Sequence, residues 1–176
     1  MPSSMKINRP QPRDFPEFFQ RYIDLVPDGN VLKVLEGQVL DFQFIFSDIP
    51  LEKEDFRYEK GKWTLKEVLG HIIDTERILA YRALSFARGN DAVQPGFDPD
   101  IFMANADFNK RTVYDLAHEF GIVRNSNLVM IRNFAEADFQ KRGVANNWEM
   151  SVGAIVYAMA GHALHHISVI KSKYLI

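Results

Sequence analysis

Three of the chain's five histidines, His162, His165 and His166, fall within one proline-free stretch, residues 151–174. Val152, Ile155, Val156, Met159, Ala163, Ile167 and Ile170 recur through it at helical spacing, which predicts an amphipathic helix. His162 and His166 are four residues apart and share one face of that helix, about 6 Å from each other. Two imidazoles so placed can hold one divalent metal ion from a single rigid element. The competing reading is a polar pair packed in the core, since a lone buried histidine is more often a hydrogen-bonded core residue than a ligand. His165 diverges from His166 by about 100° around the axis, so the two rarely reach one ion at about 2.0–2.1 Å. It turns toward Ala158, Gly161 and Ser168. Those small residues admit a close neighbour, and His165 is expected to hydrogen-bond to it.

The remaining histidines are His71 and His118. Thr64 and Glu67 fit a capping box, with Trp63 as an apolar anchor before it. Leu65, Val68, Leu69, Ile72, Leu79, Ala83 and Phe86 continue as the apolar stripe of a long helix that carries His71 on the side of Val68 and Ile78. Asp74, three residues later, is placed to hydrogen-bond an imidazole or to orient a water at a metal. Asp74, Glu76, Arg77 and Arg82 otherwise read as a partly exposed face dotted with ion pairs. His118 falls off the stripe of its own helix and reads as surface.

Composition narrows the chemistry. A chain of 176 residues with 47% hydrophobic residues suits one domain with a sizeable core. The net charge of −2 carries no basic excess, so no nucleic-acid partner is expected. The absence of cysteine excludes disulfides, thiolate ligands and a cysteine nucleophile. No Gly-rich phosphate loop occurs. The N-terminus lacks an apolar signal core, and no segment reads as membrane-spanning, so a cytoplasmic protein is expected.

Along the chain, residues 1–13 hold Pro2, Pro10 and Pro12 and read as an extended arm before a single domain over residues 14–176. Asp14 and Pro16 suit the start of a short helix bearing Phe15, Phe18, Phe19, Tyr22 and Ile23. A first long helix is expected over residues 30–47, the His71 helix second, a third from Thr112 with Asp115 as a box-like partner, and the fourth from a Ser151 cap. Asn127 interrupts the third stripe as a candidate buried amide. Residues 90–111 and 135–150 read as connections, with no convincing strand or repeat. The first, fully extended, reaches about 70 Å, enough to cross a bundle about 30 Å tall and let the second and third helices run parallel. The expectation is an all-α four-helix bundle with a short N-terminal helix.

Residues 63–77, WTLKEVLGHIIDTER, together with GHALHH at 161–166, resemble the DinB-like superfamily, and its YfiT-like members, described as metal-dependent hydrolases, most of all. The likeness runs from about Tyr22 through the fourth helix. It implies an up-down-down-up bundle, a homodimer, and a divalent ion, nickel or zinc, held by His71, His162 and His166. Some relatives use low-molecular-weight thiols such as bacillithiol or mycothiol. The spacing agrees: His71 lies roughly 10 Å into its helix and His166 roughly 12 Å from the end of its own, at 1.5 Å per residue. Antiparallel packing would bring them level.

Three neutral imidazoles leave a coordination position open, suited to a hydrolase acting on a small-molecule substrate. A thiol S-transferase on the same site, or a non-catalytic helical module with a structural ion or none, are the alternatives.

Overall fold

Each long helix begins at a polar cap written in the sequence. The computed structural model describes residues 6–175; of the expected N-terminal arm, residues 1–5 lie outside them. In chain order the elements are α1 (Gln20–Ile23), α2 (Val31–Ile45), α3 (Leu51–Glu54), α4 (Leu65–Ala87), α5 (Pro99–Asn105), α6 (Val113–Arg132), the strands β1 (Arg142–Ala145) and β2 (Trp148–Ser151), and α7 (Val152–Lys173). Asn30 Oδ1 accepts from the Leu32 amide at 2.9 Å to start α2. Thr64 and Glu67 form the full box at α4, with bonds of 3.1 and 2.6 Å. Thr112 Oγ1 accepts from Asp115 N, and Ser151 Oγ from Ala154 N. Each cap satisfies an amide that the first helical turn leaves without a partner.

The core divides into two clusters that reveal the helix directions. One joins the start of α2 to the ends of α4 and α6 and the start of α7, through Leu35, Ala83, Ile131 and Ile155. The other joins the end of α2 to the starts of α4 and α6 and the end of α7, through Phe42, Leu69, Phe120 and Ile167. So α4 and α6 run parallel to each other, both antiparallel to α2 and α7, which is the up-down-down-up order.

Between the clusters sits a polar brace. The Arg124 side chain is fully buried and donates to both carboxylate oxygens of Glu76, at 2.8 and 3.0 Å. It also donates to Gln38 Oε1 and to the Met159 carbonyl at 3.4 Å. Gln38 donates in turn to the Ala160 carbonyl at 2.7 Å, and Asn127 to Glu76 Oε1 at 2.9 Å. One guanidinium thus ties all four long helices. Asn127, the candidate buried amide, is half-buried and hydrogen-bonded, but Glu76 does not lie on an exposed face. It occupies the apolar seam of α4, one helical step from Ile72 and Leu79, and faces Arg124 on the seam of α6. Arg77 is exposed and ion-paired, as read, with Glu119 as its partner, whereas Arg82, read on the same face, is buried.

Four further readings are corrected. Asp14 does not cap a helix. Phe15 precedes Pro16 and is held extended (φ −157°, ψ 156°), so Asp14 accepts from Gln11 N and helical structure resumes only after Pro16. The 90–111 connection is not structureless: Asp98 caps α5, with Pro99 at its first position. Residues 142–151 form a hairpin, with Arg142 opposite Ser151 and Ala145 opposite Trp148. Its two-residue turn, Asn146-Asn147, has both φ positive, at 52° and 63°, as a type I′ turn needs. Finally, α7 is long and apolar enough to cross a membrane, but 72% of its most apolar window is buried inside the bundle.

Arg124→Met should cost about 3–5 kcal/mol, because Glu76 then stays buried without its partner. In a urea-denaturation cycle, the Arg124→Met/Glu76→Met double variant should lose less than the sum of the singles. Additivity within about 0.5 kcal/mol would show that the pair is not coupled.

Candidate metal centre

His71 lies near the start of α4, His162 at the middle of α7 and His166 one turn beyond it. Because the two helices pack antiparallel, the three imidazoles meet at one level. His71 Nε2 is 3.1 Å from His162 Nε2, and His166 Nε2 is also 3.1 Å from His162 Nε2. The three ligand atoms all lie within 4.8 Å of one another. A neutral ring nitrogen either donates one proton or accepts on one lone pair, so His162 Nε2 cannot make two good hydrogen bonds to its neighbours. The three are instead grouped as the ligands of one ion would be. Nitrogens at about 2.0–2.1 Å from one ion, with angles between 90° and 109°, lie roughly 2.9–3.4 Å apart, and both measured contacts fall in that span.

Electrostatics keeps the cluster neutral. Burial first, then the neighbouring His165, pushes the His71 imidazole down to about 4. Burial, with His71, His165 and Arg21 adding to it, pushes His166 down to about 3. His162 is lowered well below its usual value by burial, the other histidines and Arg124. All three therefore keep free lone pairs near neutral pH, the state in which imidazole binds a cation. His71 Nδ1 is buried without a hydrogen-bond partner in the structure, with the Trp63 ring 4.9 Å from its own.

His165 stands outside this cluster. It is half-buried, with its ring 5.4 Å from that of Tyr22 and 5.0 Å from that of His166. A close neighbour does lie against the small-residue side of α7. A Cβ added at Gly161 would sit 2.0 Å from the Tyr22 carbonyl oxygen, so only glycine lets α1 approach there. The contact His165 makes with it is ring against ring, not the expected hydrogen bond. His118 is exposed, as read. Asp74 does not orient anything at the cluster. It is half-buried beside Arg77 and Glu119, toward α6, and burial raises its carboxyl.

The imidazoles open onto a cavity of about 840 Å³. Thr75, Leu79 and Arg82 extend the His71 face of α4 along its wall, at spacings of four, eight and eleven residues. Further wall comes from outside the long helices: Phe18 and Tyr22 from the segment read as a short N-terminal helix, and Phe97 from the crossover and Trp148 and Met150 from the hairpin, both read as connections. Of the aromatics of the 15–23 segment, Phe15 and Tyr22 are buried and Phe19 half-buried within the chain, while Phe18 is exposed. Thr75 and Arg82 could have been found by continuing the helical wheel from His71. Nothing local in the sequence marked the hairpin wall except Asn146-Asn147.

The sequence profile of the DinB superfamily matches residues 39–170, most of the chain. The chain belongs to the DinB superfamily. The match spans α4 and the whole histidine-bearing part of α7. Among solved structures, YfiT from Bacillus subtilis superposes with a TM-score of 0.73 at 14% sequence identity, over 81% of this chain and 82% of YfiT. YfiT is described as a probable metal-dependent hydrolase with an unusual four-helix bundle topology. At that identity the likeness shows the fold, and the up-down-down-up order of this DinB-superfamily chain agrees with it. No curated protein sequence matches the chain significantly.

The depressed imidazoles set a pH dependence of stability. Above pH 6.5 both folded and unfolded chains leave these histidines neutral. Between 6.5 and about 4 the unfolded chain takes up protons that folded His71 refuses, and His166 extends the range to about 3. Each such proton lowers the folding constant about tenfold per pH unit. Urea midpoints of chelator-treated protein should fall steadily from pH 7 to pH 4.5, and His71→Phe should flatten the slope. An unchanged slope would show that His71 titrates normally.

Proposed function

We propose that this protein is a metal-dependent hydrolase whose divalent ion is held by His71, His162 and His166. The observation that carries the reading is the convergence of three neutral Nε2 atoms at the floor of an open, largely aromatic cavity. Three imidazoles with no thiolate suit zinc or nickel. When bound, such an ion activates water near neutral pH and polarises a substrate carbonyl or phosphoryl group.

The chain's own residues supply the rest. His71 arrives from α4 and the other two from α7, so the donor set is held by two rigid helices. Tyr22 lies edge-on to both His162 and His165 and limits ring rotation there, with centroids 5.5 and 5.4 Å away. The aromatic walls displace water from the substrate's body, which strengthens the electrostatic interactions inside. Among the described residues Glu17 is the single carboxylate lining the cavity, and it is exposed. No fourth protein ligand joins the cluster among the described residues, so the donor set is that of a reactive centre and not of a closed structural site. A small-molecule substrate fits the cavity's size.

The test is turnover of a panel of carboxylic esters, amides and phosphoesters by untagged protein, with and without chelator. Hydrolysis should vanish on chelation, return with zinc or nickel, and fall by at least about 10³-fold in His162→Ala. Turnover that requires an added low-molecular-weight thiol would move the reading to thiol transfer. Turnover indifferent to chelator would remove the metal from it.

A further inference from the structure

Among the described residues two arginines are buried, and they are treated differently. Arg124 is matched by Glu76. Arg82, 8% exposed, has no carboxylate partner; Nη2 donates to the Pro95 carbonyl at 2.8 Å. A buried guanidinium without a counter-ion is costly, and burial lowers its pKa. Its position explains what can offset that cost. Arg82 lines the same cavity as the three imidazoles, on the same face of α4, with Thr75 and Leu79 between. Thr75 lines it too, and its Oγ1 is buried without a hydrogen-bond partner. On one stripe, then, Thr75 Oγ1 has no hydrogen-bond partner and Arg82 no counter-ion among the described residues, and both side chains adjoin one cavity. Around them stand Trp63, Tyr22, Phe97 and Trp148.

We propose that this cavity takes an aryl or alkyl carboxylate, its carboxylate held by Arg82 and its apolar body laid along Leu79 and the aromatic walls toward the imidazoles. The inference rests on the reading of those imidazoles as the reaction centre. One planar guanidinium matches one carboxylate in a bidentate fork. A phosphate dianion would call for a second cation, and among the described residues no lysine lines the cavity, while Arg21 belongs to the histidine side, stacked on Phe18 and Tyr22. Arg82 follows His71 by eleven residues, about 16 Å between backbones. Helical side chains lean toward the N-terminus, Arg82's reaching farther than His71's, which shortens that gap to a span on the order of 10–15 Å. The ligand is therefore elongated, with its anionic group remote from the bond that reacts.

Both tryptophans of the chain line the cavity, so their fluorescence reports its occupancy. The probes are 4-phenylbutyrate and 4-phenylbutyramide, nearly equal in shape, titrated into full-length protein as purified and again with chelator. The acid should bind tighter than the amide by on the order of tenfold, in the chelated arm as well. Arg82→Gln should bring the ratio to one, Arg82→Lys should keep part of it, and Arg21→Gln should leave it intact. Equal binding of acid and amide to the unmodified protein overturns the proposal without any variant having to fold. A ratio that survives Arg82→Gln, or is lost in Arg21→Gln instead, overturns it too. If no metal is bound but the ratio holds and depends on Arg82, the metal reading fails while the carboxylate site stands.

Discussion

The geometry of the molecule depends on one buried guanidinium. Arg124 draws its acceptors from α2, α4 and α7, and a charge so placed tolerates little displacement, because every bond it loses leaves a buried polar group unmatched. The same brace lies next to the histidines. Glu76 follows His71 by little more than one turn on α4, and the Met159 and Ala160 carbonyls precede His162 by less than one turn on α7. The bonds that hold Arg124 therefore also set the separation and rotation of the two helices that present the imidazoles. A donor set closing on one ion needs positional precision of about 0.5 Å, finer than apolar side chains alone impose, since apolar packing tolerates repacking.

The bundle was legible because its signals are local and repeated. The caps at Asn30, Thr64, Thr112 and Ser151 stand at the helix starts, and the apolar seams follow them at the expected period. The up-down-down-up order was what the family resemblance implied, and the length of the 90–111 segment and the matching levels of His71 and His166 agreed with it. The brace was less legible for a physical reason. Gln38, Glu76 and Arg124 each occupy an apolar seam position, and a polar residue there reads as a solvated face until its partners on other helices are known. Asn127 was noticed because it interrupts its stripe; Glu76 breaks its own in the same way. The hairpin was missed because four-residue strands carry almost no periodicity, and only the paired asparagines of its turn signal it.

The histidines divide along the line that helix geometry draws. His162 and His166 share a face and come together with His71, while His165, one position away, meets Tyr22. The cavity above them was beyond the sequence, because its walls come from the N-terminal segment, the crossover and the hairpin, brought together only by the fold. Those same walls make the interior an aromatic slot with imidazoles at one end and an arginine without a counter-ion along its length. A site with that distribution of charge selects by what lies away from the reacting atoms as much as by the reaction centre.

The central claim is that three imidazoles, and not four, hold one ion. It is tested most directly by metal content, measured by inductively coupled plasma mass spectrometry on untagged protein purified without chelator and on four single alanine variants. The account predicts close to one zinc or nickel ion per chain, lost in His71→Ala, His162→Ala and His166→Ala and retained in His165→Ala. Loss in His165→Ala with retention in His166→Ala would contradict the assignment of ligands, and metal content unchanged in all four would contradict the site itself.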